Sequence, residues 1–236
     1  MEIFTNAIRD ALHLLIAGRQ DVLEIFLLSM RVSGLAVVLG VLIGMPFGAL
    51  TALYRFPARG LIITLIHTGF ALPPVVVGLF VYMLLSRSGP AGHLDLLFTP
   101  PAMILAQSIL AAPYVAGITL AAVQAVPPDV RLQARALGAT RWQAVLAHVR
   151  EARLGLVAAV VAGFGAVISE VGAVMMVGGN ILGETRVMTT AIVLETRRGN
   201  FSTALALGLV LLCFAFAVNL VLTHLQQRDR AARLPW

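Results

Sequence analysis

The chain has 236 residues, of which 59% are hydrophobic and 12% are charged, and its net charge is +6. Soluble domains carry about 25% charged residues, whereas the apolar stretches here are long and uninterrupted. The composition therefore excludes an ordinary soluble domain and predicts a helical integral membrane protein. The chain is long enough for one membrane domain.

All 17 basic residues are arginine, and the sequence contains no lysine. A phosphate-binding P-loop needs a lysine after its glycines, so any ATP energy must come from a partner chain. No polar domain is present to hold a nucleic acid. No cluster of nucleophile, base or metal ligands predicts an enzyme or a bound cofactor. An ion-coupled secondary transporter stays a distant alternative, although the sequence lacks the internal repeat expected of one.

Residues 1–21 place apolar side chains on one helical face and polar ones on the other, which predicts an amphipathic helix along the membrane surface or against the bundle. The first uncharged run, Val32–Tyr54, is long enough to span a membrane. Within it, Gly40, Gly44 and Gly48 recur every four residues. Such a stripe of small residues allows another helix to approach closely.

The second run, Leu61–Ser86, contains Pro73 and Pro74 near its middle. Two prolines remove two backbone donors, so we expect the helix to break or bend there. The break is either a packing kink or part of the wall of a water-filled path, because free backbone groups at membrane depth need protein or water beside them. The third run, Ala102–Val126, ends at a second proline pair.

The fourth run, Leu154–Val177, carries Glu170, and the fifth run is Phe201–Leu225. Between them, Val187–Leu194 is too short to span a bilayer and predicts an interfacial or re-entrant helix. The single cysteine, Cys213, is expected to be buried as a small apolar side chain.

These elements together predict an all-α integral membrane fold with about five membrane-spanning helices and the N-terminal amphipathic helix. We expect residues 1–236 to form a single transmembrane domain whose membrane core runs from 30 to 225. The segment 127–153 is too polar to lie inside that core, so it lies in water or on a partner.

The arginines predict the orientation of this multi-pass chain. Five spans place the two ends on opposite sides, and one side receives the larger group, which lies close to helix ends: Arg55, Arg59, Arg131, Arg135, Arg141, Arg150, Arg153, Arg228, Arg230 and Arg233. Positive charge near helix ends marks the cytoplasmic side. The N-terminus is then outside, and both the C-terminus and the segment 127–153 are cytoplasmic.

Two short helices are expected in that segment, Asp129–Leu137 and Thr140–Arg150, joined at Gly138 and Ala139 because glycine permits a tight turn with positive φ. Several arginines and Trp142 then face the cytoplasm, a composition typical of a protein contact. An amphipathic hairpin lying on the lipid surface is the alternative.

The loop sequence from Pro127 to Trp142 resembles the EAA loop of ABC importer permeases, whose pattern is Glu-Ala-Ala, three residues and Gly, often followed by Ala-Ser/Thr-Arg-Trp. Leu132 and Gln133 depart from the Glu and the first Ala, and Arg150-Glu151 replaces the usual Leu-Pro. The resemblance implies a type I ABC importer transmembrane domain whose cytoplasmic coupling loop, 127–153, docks on an ATPase. The residues it assigns to that joint are Asp129, Leu132, Ala134, Leu137, Gly138, Ala139, Arg141 and Trp142.

A second resemblance lies in Ile168–Asn180 and in residues 71–78, which are similar to segments of molybdate and tungstate permeases, most of all the tungstate branch. It implies a bacterial inner-membrane permease that moves an oxyanion, with tungstate expected first and molybdate, sulfate or another small solute as alternatives. The implied partners are a cytoplasmic ABC ATPase dimer, a periplasmic or lipid-anchored substrate-binding protein, and a second copy of the chain.

Seven residues are candidates for the translocation path or its gate: Pro73, Pro74, Glu170, Met175, Met176, Gly178 and Asn180. Glu170 is either a structural or gating group with an Arg, Ser or backbone partner, or a group that handles substrate or protons. The two methionines either form a flexible apolar gate or pack in the bundle. Gly178, Gly179 and Asn180 either offer N–H groups and an amide to an oxyanion or cap a helix.

Overall fold

The computed structural model describes residues 20–231, so the amphipathic helix expected in residues 1–21 falls almost wholly outside the described part. Within the described part, the regular structure is helical, which confirms the all-α prediction. Among residues 20–231, a 3₁₀ turn at Gly92–Leu94 accompanies ten α-helices: α1 Gln20–Leu53, α2 Arg59–Phe70, α3 Pro74–Leu85, α4 Pro100–Gln124, α5 Asp129–Ala136, α6 Arg141–Glu151, α7 Arg153–Ile168, α8 Gly172–Gly178, α9 Met188–Arg197 and α10 Phe201–Ala231.

Three of these helices are long and apolar enough to cross a membrane along Val22–Leu53, Pro100–Gln124 and Phe201–Val221. Two bent pairs, α2 with α3 and α6 with α7, raise the number of spans to five if each pair is counted as one. The expectation of a multi-pass helical membrane protein is therefore confirmed.

The proline pair in the second apolar run ends one helix and begins another, as expected. Helix α2 stops at Phe70, Pro73 has extended φ and ψ values of −64° and 121°, and α3 begins at Pro74. Proline suits the first helical position because the N–H it lacks would have no partner inside the helix.

The fourth apolar run is not one helix, which corrects the prediction of a continuous segment. Helix α7 ends at Ile168 and α8 begins at Gly172, and Glu170 lies in the break. Apolar composition does not register such a break, because the residues on both sides are equally apolar. The short helix expected near Val187–Leu194 is present as α9.

Cys213 is exposed on α10, so the prediction that it is buried was wrong. Helices that cross a bilayer keep apolar side chains on their outer surface, because lipid is as apolar as a protein core. Apolar sequence around a residue therefore does not imply burial in a membrane chain.

The described residues form two compact units. The first unit comprises 20–36, 73–108 and 167–220, and the second unit comprises 37–72, 109–166 and 221–231. A buried cluster in the first unit consists of Met188, Ala191, Leu207 and Val210. The second unit has one cluster around Ile66, Ala116 and Leu120, and another around Val123, Val126 and Ala152.

The glycine stripe of α1 lies in the second unit and contacts α4 backbone, as the sequence indicated. A Cβ on Gly44 would lie 2.5 Å from the carbonyl oxygen of Ala112, and one on Gly48 would overlap the carbonyl oxygen of Ala116. Rigid backbone atoms, rather than movable side chains, therefore fill the space beside these glycines. Close helix packing of this kind is the usual role of small residues in membrane helices.

We expect Gly48→Ala to destabilise the protein by roughly 1–3 kcal/mol, because the added methyl group must push α1 away from α4. The thermal midpoint of the purified protein in detergent measures this loss. Gly34→Ala is the matched control on the same helix, since a Cβ there meets no atom within 4 Å. An unchanged midpoint for Gly48→Ala would contradict the close packing described here.

Candidate functional site

The polar segment between α4 and α7 folds into two short helices, α5 and α6, close to the predicted bounds. Gly138 joins them with a φ of +89°, a conformation that side chains with a Cβ rarely adopt. The N–H groups of Gly138 and Ala139 donate to the carbonyls of Arg135 and Ala134, both at 3.0 Å. The turn is therefore a compact cap on the end of α5, and we call α5, the turn and α6 the hairpin.

Thr140 fixes the start of α6 with a capping box. The Gln143 N–H donates to the Thr140 hydroxyl oxygen at 3.3 Å, and the Thr140 N–H donates to the Gln143 side-chain oxygen at 2.8 Å. Two N–H groups that the helix leaves unpaired thereby gain partners. The local sequence alone thus specifies both the turn and the helix that follows it.

His148 attaches the hairpin to α4 within the second unit. Only 3% of this residue is exposed, and its Nε2–H donates to the Val123 carbonyl, with 3.1 Å between nitrogen and oxygen. Burial lowers the pKa of His148. The hydrogen bond to the Val123 carbonyl opposes this shift less strongly, and the charge of Arg131 adds the smallest effect, which also lowers the pKa. The imidazole is therefore neutral at pH 7 and serves as a hydrogen-bond donor.

Sequence reasoning did not assign His148 a role, although a signal was present. Ala144, His148 and Ala152 recur every four residues and are all buried, so they mark the inward face of α6. The face can be read from the spacing, but the acceptor on α4 cannot.

The remaining hairpin surface is open to solvent. No residue of α5 is buried, and three large apolar residues are mostly exposed: Leu132 at 66%, Leu137 at 88% and Trp142 at 70%. Asp129 and Arg141 are also exposed, whereas Ala134 and Ala139 are partly buried. Every residue that the resemblance assigned to the joint therefore lies on this one hairpin, and the large ones face outward.

A cleft of about 450 Å³ opens between the two helices of the hairpin. Side chains from both helices line it, together with Tyr54 from the segment after α1. The lining residues are Tyr54, Arg131, Leu132, Arg135, Arg141, Trp142, Ala144 and Val145. The lining is therefore cationic and partly aromatic.

The candidate path residues lie in the first unit. Helices α3 and α8 approach closely there, because a Cβ on Gly78 would lie 2.6 Å from the Cα of Ala173. Met176 is beside the same glycine, and both it and Met175 are partly buried. Pro74 and the two methionines therefore lie on two helices that pack against each other at Gly78.

Glu170 lies in the break between α7 and α8 and is only 6% exposed. Its two carboxylate oxygens accept from the N–H groups of Ala173 at 2.7 Å and Val174 at 3.1 Å. The Thr189 hydroxyl donates to the Glu170 backbone carbonyl at 3.0 Å. A carboxylate at a helix N-terminus satisfies free N–H groups and complements the helix dipole, so the partner of this buried acid is backbone.

The segment after α8 is held by its own polar groups. Asn180 has a φ of +55°, and its side-chain oxygen accepts from Arg186 Nε at 3.1 Å. The Thr185 hydroxyl donates to the Gly178 carbonyl and accepts from the Ile181 N–H. The amide oxygen of Asn180 is therefore already engaged, and Thr185 and Arg186 are supporting residues that the sequence did not single out.

Two more buried polar residues of the first unit were missed. Ser29 accepts from the Met188 N–H at 2.8 Å, and Gln107 Nε2 donates to the Val167 carbonyl at 3.0 Å. Each hydrogen bond satisfies a backbone group near a helix end. The sequence does not reveal these contacts, because the two partners are far apart in the chain. Across residues 20–231 no group of three potential metal ligands occurs.

The first unit thus contains a helix break capped by Glu170, and the second unit contains an exposed hairpin held by a tight turn, a capping box and the His148 hydrogen bond. Residues 44–230 match the sequence pattern of the binding-protein-dependent transport system inner membrane component. The chain belongs to this family. It is the membrane subunit of an ABC importer and operates with an ATPase and a substrate-binding protein.

Relatives of known name agree with this assignment. A probable anion ABC transporter permease of Haloferax volcanii is 47% identical over 81% of this chain and 84% of its own. A tungstate uptake system permease of Peptoclostridium acidaminophilum is 38% identical over 96% of this chain and all of its own. A molybdenum transport permease of Escherichia coli is 29% identical over 88% of this chain and 95% of its own.

A solved bacterial ABC transporter for alginate import has the same fold. Its chain superimposes with a TM-score of 0.71 at 20% identity, covering 87% of this chain and 79% of that one. The predicted type I ABC importer fold is confirmed by this likeness and by the family match.

We expect Glu170→Ala to lower stability by about 1–2 kcal/mol, because α8 loses the cap on two N–H groups. Glu170→Gln keeps an acceptor oxygen and should lose less. The thermal midpoints of both variants and of the native protein in detergent test this order. If both variants melted like the native protein, capping would not be the role of this carboxylate.

Proposed function

We propose that the chain is the permease of an uptake system for tungstate, working as a homodimer in the cytoplasmic membrane. The observation that supports tungstate as the substrate is the similarity to a named tungstate permease over the whole length of that relative. The match with the molybdenum permease is weaker. Molybdate is therefore the second candidate.

The hairpin is the proposed joint to the ATPase. Its support is the fixed turn at Gly138, the capping box at Thr140 and the outward display of Leu137 and Trp142. A rigid surface that exposes large apolar side chains is suited to docking, because little conformational entropy remains to be lost on binding.

The proposed orientation places this hairpin in the cytoplasm and the N-terminus outside. The single domain of residues 1–236 then crosses the membrane five times, and the fourth crossing is the apolar run Leu154–Val177 without α6. Arginines on the hairpin and beside α2, such as Arg55 and Arg59, support it, since positive residues near helix ends favour the cytoplasmic side. ATP binding and hydrolysis then change the separation of the two hairpins of a dimer. The resulting rigid-body movement opens the path alternately to each side.

The proposed path includes the break at Pro73 and Pro74 and the break at Glu170, both of which leave the backbone non-helical. Such backbone is tolerated at membrane depth where it is buried in protein or lines a cavity. Met175 and Met176 on α8 are the proposed apolar gate, and the Gly178–Asn180 turn is its outer end. Glu170 holds the first turn of α8 in place and thereby positions that gate.

The substrate is tested with the purified binding protein of the same uptake system. We expect it to bind tungstate more tightly than molybdate or sulfate when each is titrated by calorimetry. We also expect cells that express the complete system to accumulate tungstate only when the ATPase is present. Failure to bind tungstate would overturn the substrate, and uptake without the ATPase would favour an ion-coupled carrier.

We expect Gly138→Asp to abolish binding of the ATPase, because a residue with a Cβ is strained at a φ of +89° and the turn must rearrange. Co-purification of the tagged permease with its ATPase measures this. Gly60→Asp adds the same charge in open space at the start of α2 and serves as the control. Normal binding by Gly138→Asp would contradict the assignment of the hairpin as the joint.

A further inference from the structure

Helix α5 is only partly covered in the isolated chain, with Val130 and Ala134 partly buried. It has eight residues, and none of them is buried. A helix this short is marginal in water unless its apolar face packs against something. Leu132 projects from it with two thirds of its surface exposed, and Trp142 on the neighbouring helix is equally open. The two helices therefore present an incomplete interface.

The charges at this interface have one sign. Arg131, Arg135 and Arg141 line the same cleft of about 450 Å³, and the lining contains no acidic residue. Like charges in one cleft repel each other, so the arrangement becomes favourable when anionic groups enter it. The carboxylates nearest in sequence are Asp129, the first residue of α5, and Glu151, the last residue of α6, and neither belongs to the lining.

We propose that this cleft receives carboxylate side chains of the cytoplasmic ABC ATPase, so that the permease supplies the cations of the joint and the ATPase supplies the anions. The proposal rests on the function proposed above and adds the chemistry of the partner surface. Guanidinium groups bind carboxylates through paired hydrogen bonds, which give direction as well as energy. The ATPase surface should therefore combine an apolar pocket for Trp142 and Leu137 with a border of Asp or Glu.

The shape of the site favours a protein partner over lipid headgroups. The cleft is concave, and both helices contribute its walls, so it fits a projecting side chain better than a flat membrane surface. The capping box at Thr140 and the His148 hydrogen bond to α4 hold the second wall in position before any partner arrives. Preorganisation of this kind lowers the entropic cost of a specific docking contact.

The test uses the full-length permease in lipid nanodiscs and the purified ATPase of the same uptake system. We expect Arg135→Glu and Arg141→Glu each to weaken binding by about tenfold or more, because each reversal turns a charge-assisted hydrogen bond into repulsion. Arg197→Glu reverses an exposed arginine on α9, outside the hairpin, and should change binding little. Arg135→Gln removes the charge with minimal disturbance and should give a smaller loss in the same direction.

A charge exchange identifies the partner group. We expect that replacing the facing Asp or Glu of the ATPase with Arg restores binding to Arg135→Glu while weakening binding to the native permease. If no acidic residue on the ATPase surface that contacts the hairpin restores binding to Arg135→Glu when it is replaced with Arg, the proposal is wrong. Binding of the native pair should also weaken steeply with added salt, whereas the Arg135→Gln pair should respond less.

The Gly138→Asp variant separates this proposal from the function it rests on. If Gly138→Asp loses the ATPase while both arginine reversals bind normally, the joint stands and the carboxylate contact is wrong. If Gly138→Asp and the arginine variants all bind normally, the joint itself is wrong, and the cleft proposal fails with it. If the reversals weaken adhesion to phosphatidylglycerol vesicles and leave ATPase binding unchanged, the cleft is a lipid contact.

Discussion

A hydrocarbon environment offers no partner to a free backbone N–H group, and this constraint shapes the first unit. The helix break before α3 begins with prolines, which have no N–H to satisfy. The break before α8 uses the carboxylate of Glu170, which accepts from two N–H groups at once. Beyond α8, the Thr185 hydroxyl both donates and accepts. Non-helical backbone is stabilised here by these local partners.

The hairpin faces the opposite physical situation, since water can satisfy its polar groups but not its apolar ones. The turn at Gly138 and the capping box at Thr140 nevertheless hold it in one conformation. Exposed Leu137 and Trp142 are costly in water and favourable in an interface. The break before α8 finds its hydrogen-bond partners within the chain, whereas the hairpin leaves large apolar side chains exposed.

Sequence reasoning predicted the features that arise from local chemistry. The proline break, the positive φ at Gly138 and the two hairpin helices follow from residues close in the chain. The glycine stripe on α1 follows from its period. In contrast, the break at Glu170 was missed, because apolar residues on both sides gave no signal. The predicted burial of Cys213 was wrong because the outward and inward faces of a membrane helix are equally apolar.

The unpredicted contacts of the site join residues distant in the chain. Ser29 contacts the start of α9, and His148 contacts the end of α4. A polar residue at such a position has no periodic partner in the sequence, so only the fold identifies its acceptor. These contacts determine where helix ends lie, and the sequence is least informative about them.

The attachment of α6 has a mechanical consequence. The helix is joined to α7 through a bend of 60° and is linked separately to α4 by the imidazole of His148. Two attachments at different points prevent a short helix from swivelling about its chain connection. A displacement of the hairpin therefore acts on α4 and α7 together and is not absorbed by rotation at a flexible hinge.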